Sequence, residues 1–110
     1  MERERVLQYE ANNDGQSIFL FYDRMTGVYT AFGLSAYYVS MVTEPYMSYS
    51  EEMEMPVALL RKEHVYSVRQ TVKRIEHIPQ NFYYFQMRLC IGRDGYDSWA
   101  AKVIEKHSKV

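Results

Sequence analysis

The sequence predicts one small domain of the α/β or α+β class, with a mixed β-sheet that starts with a hairpin and is flanked by two main helices. Its 110 residues are 47% apolar and 25% charged, a composition typical of a globular chain that buries one core. Apolar runs of strand length alternate along the chain with segments whose apolar residues recur at helical spacing. This alternation predicts helices packed on a sheet within a single domain, residues 1–110.

The first elements follow from turn signals and apolar runs. Residues 1–14 are predicted to form a short helix or an N-terminal arm, which ends in the turn-forming cluster at 12–15. The continuous apolar run at residues 18–22 predicts a strand that is covered on both faces. Residues 28–32 have high β-propensity and follow a turn, so they predict the second strand of a hairpin.

Residues 34–42 are compatible with two structures. Leu34, Tyr37, Tyr38 and Met41 recur at helical spacing, which favours a short helix capped by Ser35. The sequence Tyr37-Tyr38-Val39 also has high β-propensity, which favours a strand. The pattern alone leaves both structures open.

The middle of the chain is predicted to contain a connecting segment, a strand and a helix. Residues 43–54 carry four glutamates and no basic residue, so we expect a loop there with a short edge strand at most. Residues 55–60 predict an apolar strand. The helix is predicted over residues 62–78, because Val65, Val68, Val72 and Ile75 recur at spacings of 3, 4 and 3.

The last two elements are predicted to be a strand and a helix that pack together. Apolar and polar residues alternate over 82–91, which predicts a strand with one buried face. After a turn at 92–95, a helix capped by Asp97 is expected to bury Trp99, Ala100, Val103 and Ile104. Trp99 is then expected to dock on the sheet beside Phe85, Met87 or Leu89.

Charge and cysteine content point to a cytoplasmic protein. Thirteen basic and 14 acidic residues give a net charge of −1, so no global field selects nucleic acid or a membrane surface. The single cysteine, Cys90, is consistent with a reducing compartment. No apolar run approaches the ~20 residues of a membrane span, and the N-terminus is charged where a signal peptide needs apolar residues. We therefore expect no membrane partner.

The sequence contains no pattern typical of a catalytic or cofactor site. Its five glycines form no phosphate-binding motif. His64, His77 and His107 are far apart and lack the spacing of metal ligands, and Cys90 falls inside a predicted strand, where a buried thiol is inert. We therefore expect no catalytic residue, no cofactor and no metal, and a protein that is not an enzyme.

One candidate contact surface lies on the predicted helix over 62–78. Lys62, Tyr66, Arg69 and Lys73 would fall on one stripe beside its apolar face. Basic residues interleaved with an aromatic side chain can follow phosphates and stack on a base or a peptide. The alternative is a solvated helix face with no partner.

A second candidate surface is a dimer interface. Tyrosine and methionine are unusually frequent, at 11 and 7 residues, and many of them fall within residues 37–55. Both residue types are used at interfaces, and two-fold symmetry closes an assembly with one patch. We predict a homodimer surface at Tyr46, Met47, Tyr49 and Met53. Alternatively, these side chains fold back over the sheet of a monomer.

Residues 18–78 resemble in outline the N-terminal mismatch-recognition domain of the MutS family of DNA mismatch-repair proteins. The resemblance rests on residues 18–32, where two apolar-aromatic strands flank Arg24-Met25-Thr26-Gly27, and on Met55-Pro56-Val57-Ala58 before a helix. It implies a mixed sheet flanked by helices, and DNA as a partner. Val28 and Thr30 stand where the family has the base-stacking Phe and the Glu of its Phe-x-Glu motif.

Two functions follow as hypotheses. The first is a small, non-catalytic binding module that acts through protein–protein contacts, including contacts with itself. The alternative is a nucleic-acid-binding accessory module that resembles a mismatch-recognition domain without its Phe-x-Glu.

Overall fold

The computed structural model describes residues 3–23, 26–78, 82–87 and 90–108, and it confirms a single α+β domain. The described residues form a six-stranded sheet and four helices. No helix in these ranges has the length and apolar character that crossing a membrane requires. The elements in chain order are α1 (Arg3–Ala11), β1 (Ser17–Asp23), β2 (Val28–Phe32), α2 (Gly33–Val42), β3 (Tyr46–Ser50), β4 (Met55–Leu60), α3 (Lys62–Arg69), β5 (Val72–Ile78), β6 (Phe82–Met87) and α4 (Tyr96–Ser108).

The sheet consists of three antiparallel hairpins placed side by side. β1 pairs with β2, β3 with β4, and β5 with β6, and the sheet order is β3-β4-β2-β1-β6-β5. The β2–β4 and β1–β6 pairings that join the hairpins are also antiparallel. The sheet is therefore antiparallel in each of these pairings and not mixed, with β3 and β5 at its two edges.

Both faces of the sheet are covered near its centre, as predicted for β1. Ile18 and Leu20 on one face belong to the larger core cluster, together with residues of α2 and α3. Phe19 and Phe21 on the other face pack with Val6 of α1. This arrangement explains why β1 is apolar at consecutive positions, since neither of its faces meets solvent.

Residues 34–42 are helical, and α2 is the most buried helix of the fold. Every residue from 33 to 39 is buried. The residue before the helix, Phe32, is extended and supplies no side-chain cap. Ser35 lies inside the first turn of α2, so its prediction as the N-cap is wrong.

The predicted helix over 62–78 is wrong beyond its first half. α3 ends at Arg69, and β5 begins at Val72 and pairs with β6. The register shifts between Val72 and Arg74, so that Val72 lies opposite Met87 and Ile75 lies opposite Phe85. An extra residue in a strand brings positions three apart to the same face. A bulged strand therefore reproduced the spacing of 3 that indicated a helix.

The last strand and helix differ in detail from the prediction. β6 ends at Met87, so Ile91 lies outside it, while Leu89 lies outside the described residues. α4 begins at Tyr96, which places Asp97 within its first turn and not before it. Val103 is buried as predicted, but Ile104 is 41% exposed.

Trp99 packs against α2 and not against β6. Its ring lies 5.2 Å from that of Tyr37 and 6.0 Å from that of Tyr96, measured between ring centroids. The helix α4 contacts β3, β4 and α2. The predicted docking of Trp99 beside Phe85 or Met87 is therefore wrong, because α4 crosses the opposite end of the sheet from β6.

Candidate functional site

A groove of about 540 Å³ lies between the edge strand β3 and α4. Tyr46, Met47 and Ser48 form its strand side. Trp99 and Val103 form its apolar helix side, and Lys102 and Lys106 lie on the same helix one turn apart. The groove thus combines an apolar floor, two cations and the free edge of a sheet.

The strand β3 lacks the charged residues, the proline and the bulge that commonly protect sheet edges from pairing. Its sequence Tyr-Met-Ser-Tyr-Ser contains no charged residue and no proline, and its register with β4 runs without a shift. The opposite edge, β5, contains Lys73, Arg74 and Glu76 and a register shift. Charged residues and bulges are the usual means of blocking an edge. By this criterion β5 is a protected edge and β3 is an open one.

The predicted dimer residues are distributed between the surface and the core. Tyr46 is 69% exposed, whereas Met47 and Tyr49 are half-buried. Met53 is 5% exposed and belongs to the smaller core cluster with Val6. Met53 is therefore not available as a surface residue, because the turn after β3 folds it beneath α1.

Three of the four residues in the predicted basic stripe come together. Lys62, Tyr66 and Arg69 line a hollow of about 230 Å³ on α3, with Val65 and Tyr29 of β2 as its remaining walls. Lys73 lies on β5, after the helix has ended, so it does not continue the stripe along α3. Tyr66 is 66% exposed.

A polar pair formed by the half-buried Glu10 and the buried Ser35 connects α1 to the start of α2. Ser35 is fully buried, and its Oγ donates to Oε1 of Glu10 at 2.5 Å. The same Oγ accepts the backbone N–H of Phe19 at 3.0 Å, so it joins β1 to the pair. Phe32 supplies no side-chain cap for the N-terminus of α2. The Glu10 carboxyl of α1 accepts the backbone N–H of Ser35 there instead, at the positive end of the helix dipole.

Burial shifts the titration of Glu10. It raises the pKa of the Glu10 carboxyl from 4.5 to about 7, and hydrogen bonds from Ser35, Asn13 and Leu34 oppose this rise. Oε2 is buried and has no hydrogen-bond partner among the described residues. Burial also raises the pKa of Tyr38 to about 12, with a smaller contribution from the nearby Glu10.

Sequence reasoning missed Glu10, although the sequence contained a signal. Glu10 follows the fully buried Val6 by four residues on α1, so both lie on the same face of the helix. A glutamate on a buried stripe requires a buried partner, and Ser35 is that partner. Because the segment was predicted only as a short helix or an arm, no face of it was assigned to the core, and Glu10 was counted among its other charged residues.

Two tyrosines of α2 hold the loop before α4. The Tyr37 hydroxyl donates to the carbonyl of Asp94 at 2.8 Å, and that of Tyr38 donates to the carbonyl of Gly92 at 2.5 Å. The backbone N–H groups of Ile91 and Gly92 in turn donate to the carbonyl of Gly15. Part of the tyrosine excess is therefore structural, since an apolar ring and a polar tip suit this boundary.

The remaining chemically versatile residues are dispersed. Cys90 is a free and exposed thiol that follows β6, and not the buried strand residue that was predicted. Nδ1 of His64 accepts the backbone N–H of Arg61 at 2.9 Å, which stabilises the start of α3. Across residues 3–23, 26–78, 82–87 and 90–108, no three side chains of the metal-ligating types lie close enough to hold an ion.

Comparisons of the chain with protein-family models, with curated proteins and with solved structures found no match.

Proposed function

We propose that this protein is a cytoplasmic, non-catalytic binding module that takes up an extended segment of a protein partner along β3. The observation that carries the proposal is the open edge of β3 beside the groove under α4. An edge strand and a neighbouring helix form a common site for strand addition, in which the partner's backbone pairs with the edge. Alternate side chains of the added strand then enter the groove.

The lining of the groove agrees with this mode of binding. Met47, Trp99 and Val103 offer apolar surface, and Tyr46 offers an exposed aromatic ring at the edge. Aromatic residues and methionine are enriched where proteins contact each other. Pairing with the partner's backbone supplies affinity that does not depend on the partner's sequence. The apolar lining of the groove and its two lysines would select among partner sequences by their side chains.

A peptide-display selection tests the proposal. Nine-residue peptides from a random library would be selected on the wild-type chain, on Tyr46→Lys and on Tyr66→Lys. A lysine on an edge strand opposes strand addition, so we expect enrichment on the wild type and on Tyr66→Lys but not on Tyr46→Lys. Tyr66→Lys is a matched control, because the two tyrosines are 69% and 66% exposed.

The same selection defines the result that would refute strand addition. Equal enrichment on all three proteins would place the binding away from β3. No enrichment on any of them, from chains that are monomeric at the concentration of the selection, would contradict the binding function itself. Circular dichroism of the two variants checks that both retain the fold, since both substitutions replace exposed residues.

A nucleic-acid accessory module is the second candidate, and the hollow on α3 favours it. Lys62 and Arg69 flank the exposed ring of Tyr66 there. The resemblance to the mismatch-recognition domain of the MutS family supports DNA as the ligand, although Val28 and Thr30 of β2 replace its Phe-x-Glu.

DNA binding in this hollow would weaken steeply with salt, and Lys62→Ala with Arg69→Ala would reduce the salt slope by about two phosphate contacts. Fluorescence anisotropy with a duplex containing a mismatch measures both effects.

A further inference from the structure

We propose that the strand added to β3 is β3 of a second copy of this chain, which pairs antiparallel so that Ser48 faces Ser48 across a two-fold axis. The inference rests on the proposed function and names its partner. A strand that pairs with its own copy needs an open edge and a sequence that is complementary to itself under the two-fold axis. The described structure offers both conditions at β3 and its neighbours.

The register follows from the length of the strand and from its two faces. β3 has five residues, Tyr46–Ser50, and Ser48 is its centre, so this register pairs the whole strand. It places Tyr49 of the second copy opposite Met47. Met47 pairs with Ala58 of the larger core cluster and lines the groove. The half-buried ring of Tyr49 is thereby brought beside the groove of the other copy, on the face that α4 covers.

Charge complementarity supports a second copy as the occupant. Glu51 and Glu52 follow β3 directly and are exposed. In the centred register, Glu51 of one copy lies opposite Pro45 of the other, and Glu52 lies opposite the exposed Glu44, a like charge that favours no pairing. Lys102 and Lys106 line the groove with Tyr46. Glu51 of each copy therefore approaches the two lysines of the other, and the two-fold axis repeats this contact.

The edge on the other side of the sheet explains why the assembly closes. A chain with two open edges can add copies without limit. β5 contains charged residues and a register shift, and both features oppose the pairing of a further strand with this edge. With one open edge in the sheet of the described residues, two copies form a closed dimer of about 26 kDa, twice the 13.1 kDa of the chain.

Complementary charge reversal tests this arrangement. The acidic variant carries Lys102→Glu and Lys106→Glu, and the basic variant carries Glu51→Lys with Glu52 left unchanged, because Glu52 faces Glu44 of the other copy and not the lysines. Each variant alone would place like charges against each other, so we expect its dimer dissociation constant to rise about tenfold or more. An equimolar mixture places opposite charges at both contacts. We therefore expect a mixed dimer of near wild-type affinity, detected by native mass spectrometry with one variant isotope-labelled.

The controls separate this inference from the proposed function. Lys62→Glu with Arg69→Glu reverses two exposed cations on α3 and should leave self-association unchanged. A wild-type dimer that both reversed variants preserve would overturn the pairing through β3. A chain that stays near 13 kDa yet still selects peptides through Tyr46 would overturn the second copy as partner and leave strand addition standing. Failure of both experiments would overturn both proposals.

Discussion

Glu10→Gln is expected to raise the free energy of unfolding by about 3 kcal/mol above pH 7, and to leave it nearly unchanged below pH 4.5. The folded-state pKa of Glu10 lies at about 7, above the ordinary glutamate value of 4.5, because burial disfavours the charged carboxylate. The native protein therefore holds this proton more tightly than the unfolded chain does. The stability that Glu10 contributes is complete below pH 4.5 and is lost as the pH rises through about 7. Glutamine remains uncharged and escapes this loss.

Urea titrations of the wild type and of Glu10→Gln between these pH values measure the difference directly. The difference in unfolding free energy should grow between pH 4.5 and about 7 and then level off. Glu4→Gln removes an exposed carboxyl from the same helix and controls for the loss of one charge from α1. A difference that stays constant with pH, or one that Glu4→Gln reproduces, would contradict a buried carboxyl at the start of α2.

Trp99→Ala is expected to lower the free energy of unfolding by about 3 kcal/mol, as large-to-small changes in packed regions do. The indole packs on Tyr37 of α2 and on Tyr96, and it forms part of the groove wall. Its loss removes the ring contact of Trp99 with Tyr37 and leaves that of Tyr96 with Tyr37, at 5.9 Å between centroids. Because Trp99 is the one tryptophan of the chain, unfolding is followed by circular dichroism rather than by fluorescence.

Ile104→Ala provides the matched comparison on the same helix. Ile104 is 41% exposed, so its truncation should cost less than about 1 kcal/mol. If Trp99→Ala costs as little, then the indole does not anchor α4 to the domain. The groove would in that case lack a fixed wall, and a strand added to β3 would lose its contacts on the helix side.

The sequence was sufficient for elements whose pattern has one interpretation. Residues 18–22 and 28–32 lie in β1 and β2, which pair as the predicted hairpin, because a continuous apolar run between turns is compatible with little else. Residues 55–60 form β4 as predicted. The class of the fold follows from these strands together with the two predicted main helices, of which the first forms over Lys62–Arg69 only and the second over Tyr96–Ser108.

The predictions for residues 62–78 and for Trp99 were wrong because these features depend on contacts between residues that are distant in the sequence. The spacing of Val65, Val68, Val72 and Ile75 fits a helix, and only the pairing of β5 with β6 turns its second half into a bulged strand. Trp99 was assigned the wrong neighbours, because no local pattern specifies which end of a sheet a helix crosses. The self-complementary arrangement at β3 also depends on contacts between distant residues, since Tyr46 and Lys106 line one groove across sixty positions of the chain.

Three features that sequence analysis found separately lie close to the edge strand β3. The tyrosine-rich and methionine-rich segment, the acidic turn at 51–54 and the lysines of α4 lie at the same end of the sheet. The basic hollow on α3 is bounded by Tyr29 of β2, two strands away from β3. The two candidate surfaces can therefore be altered independently, which makes the proposed variants informative.

Amide hydrogen exchange of β3, followed residue by residue by NMR, tests the central claim most directly. If β3 pairs with β3 of a second copy, the exchange of its outward-facing amides should slow as the protein concentration rises from about 1 to about 100 μM, since mass action favours the dimer. The amides of the protected edge β5 should not respond, and Tyr46→Lys should abolish the effect at β3. Exchange at residues 46–50 that is independent of concentration would contradict pairing at this edge.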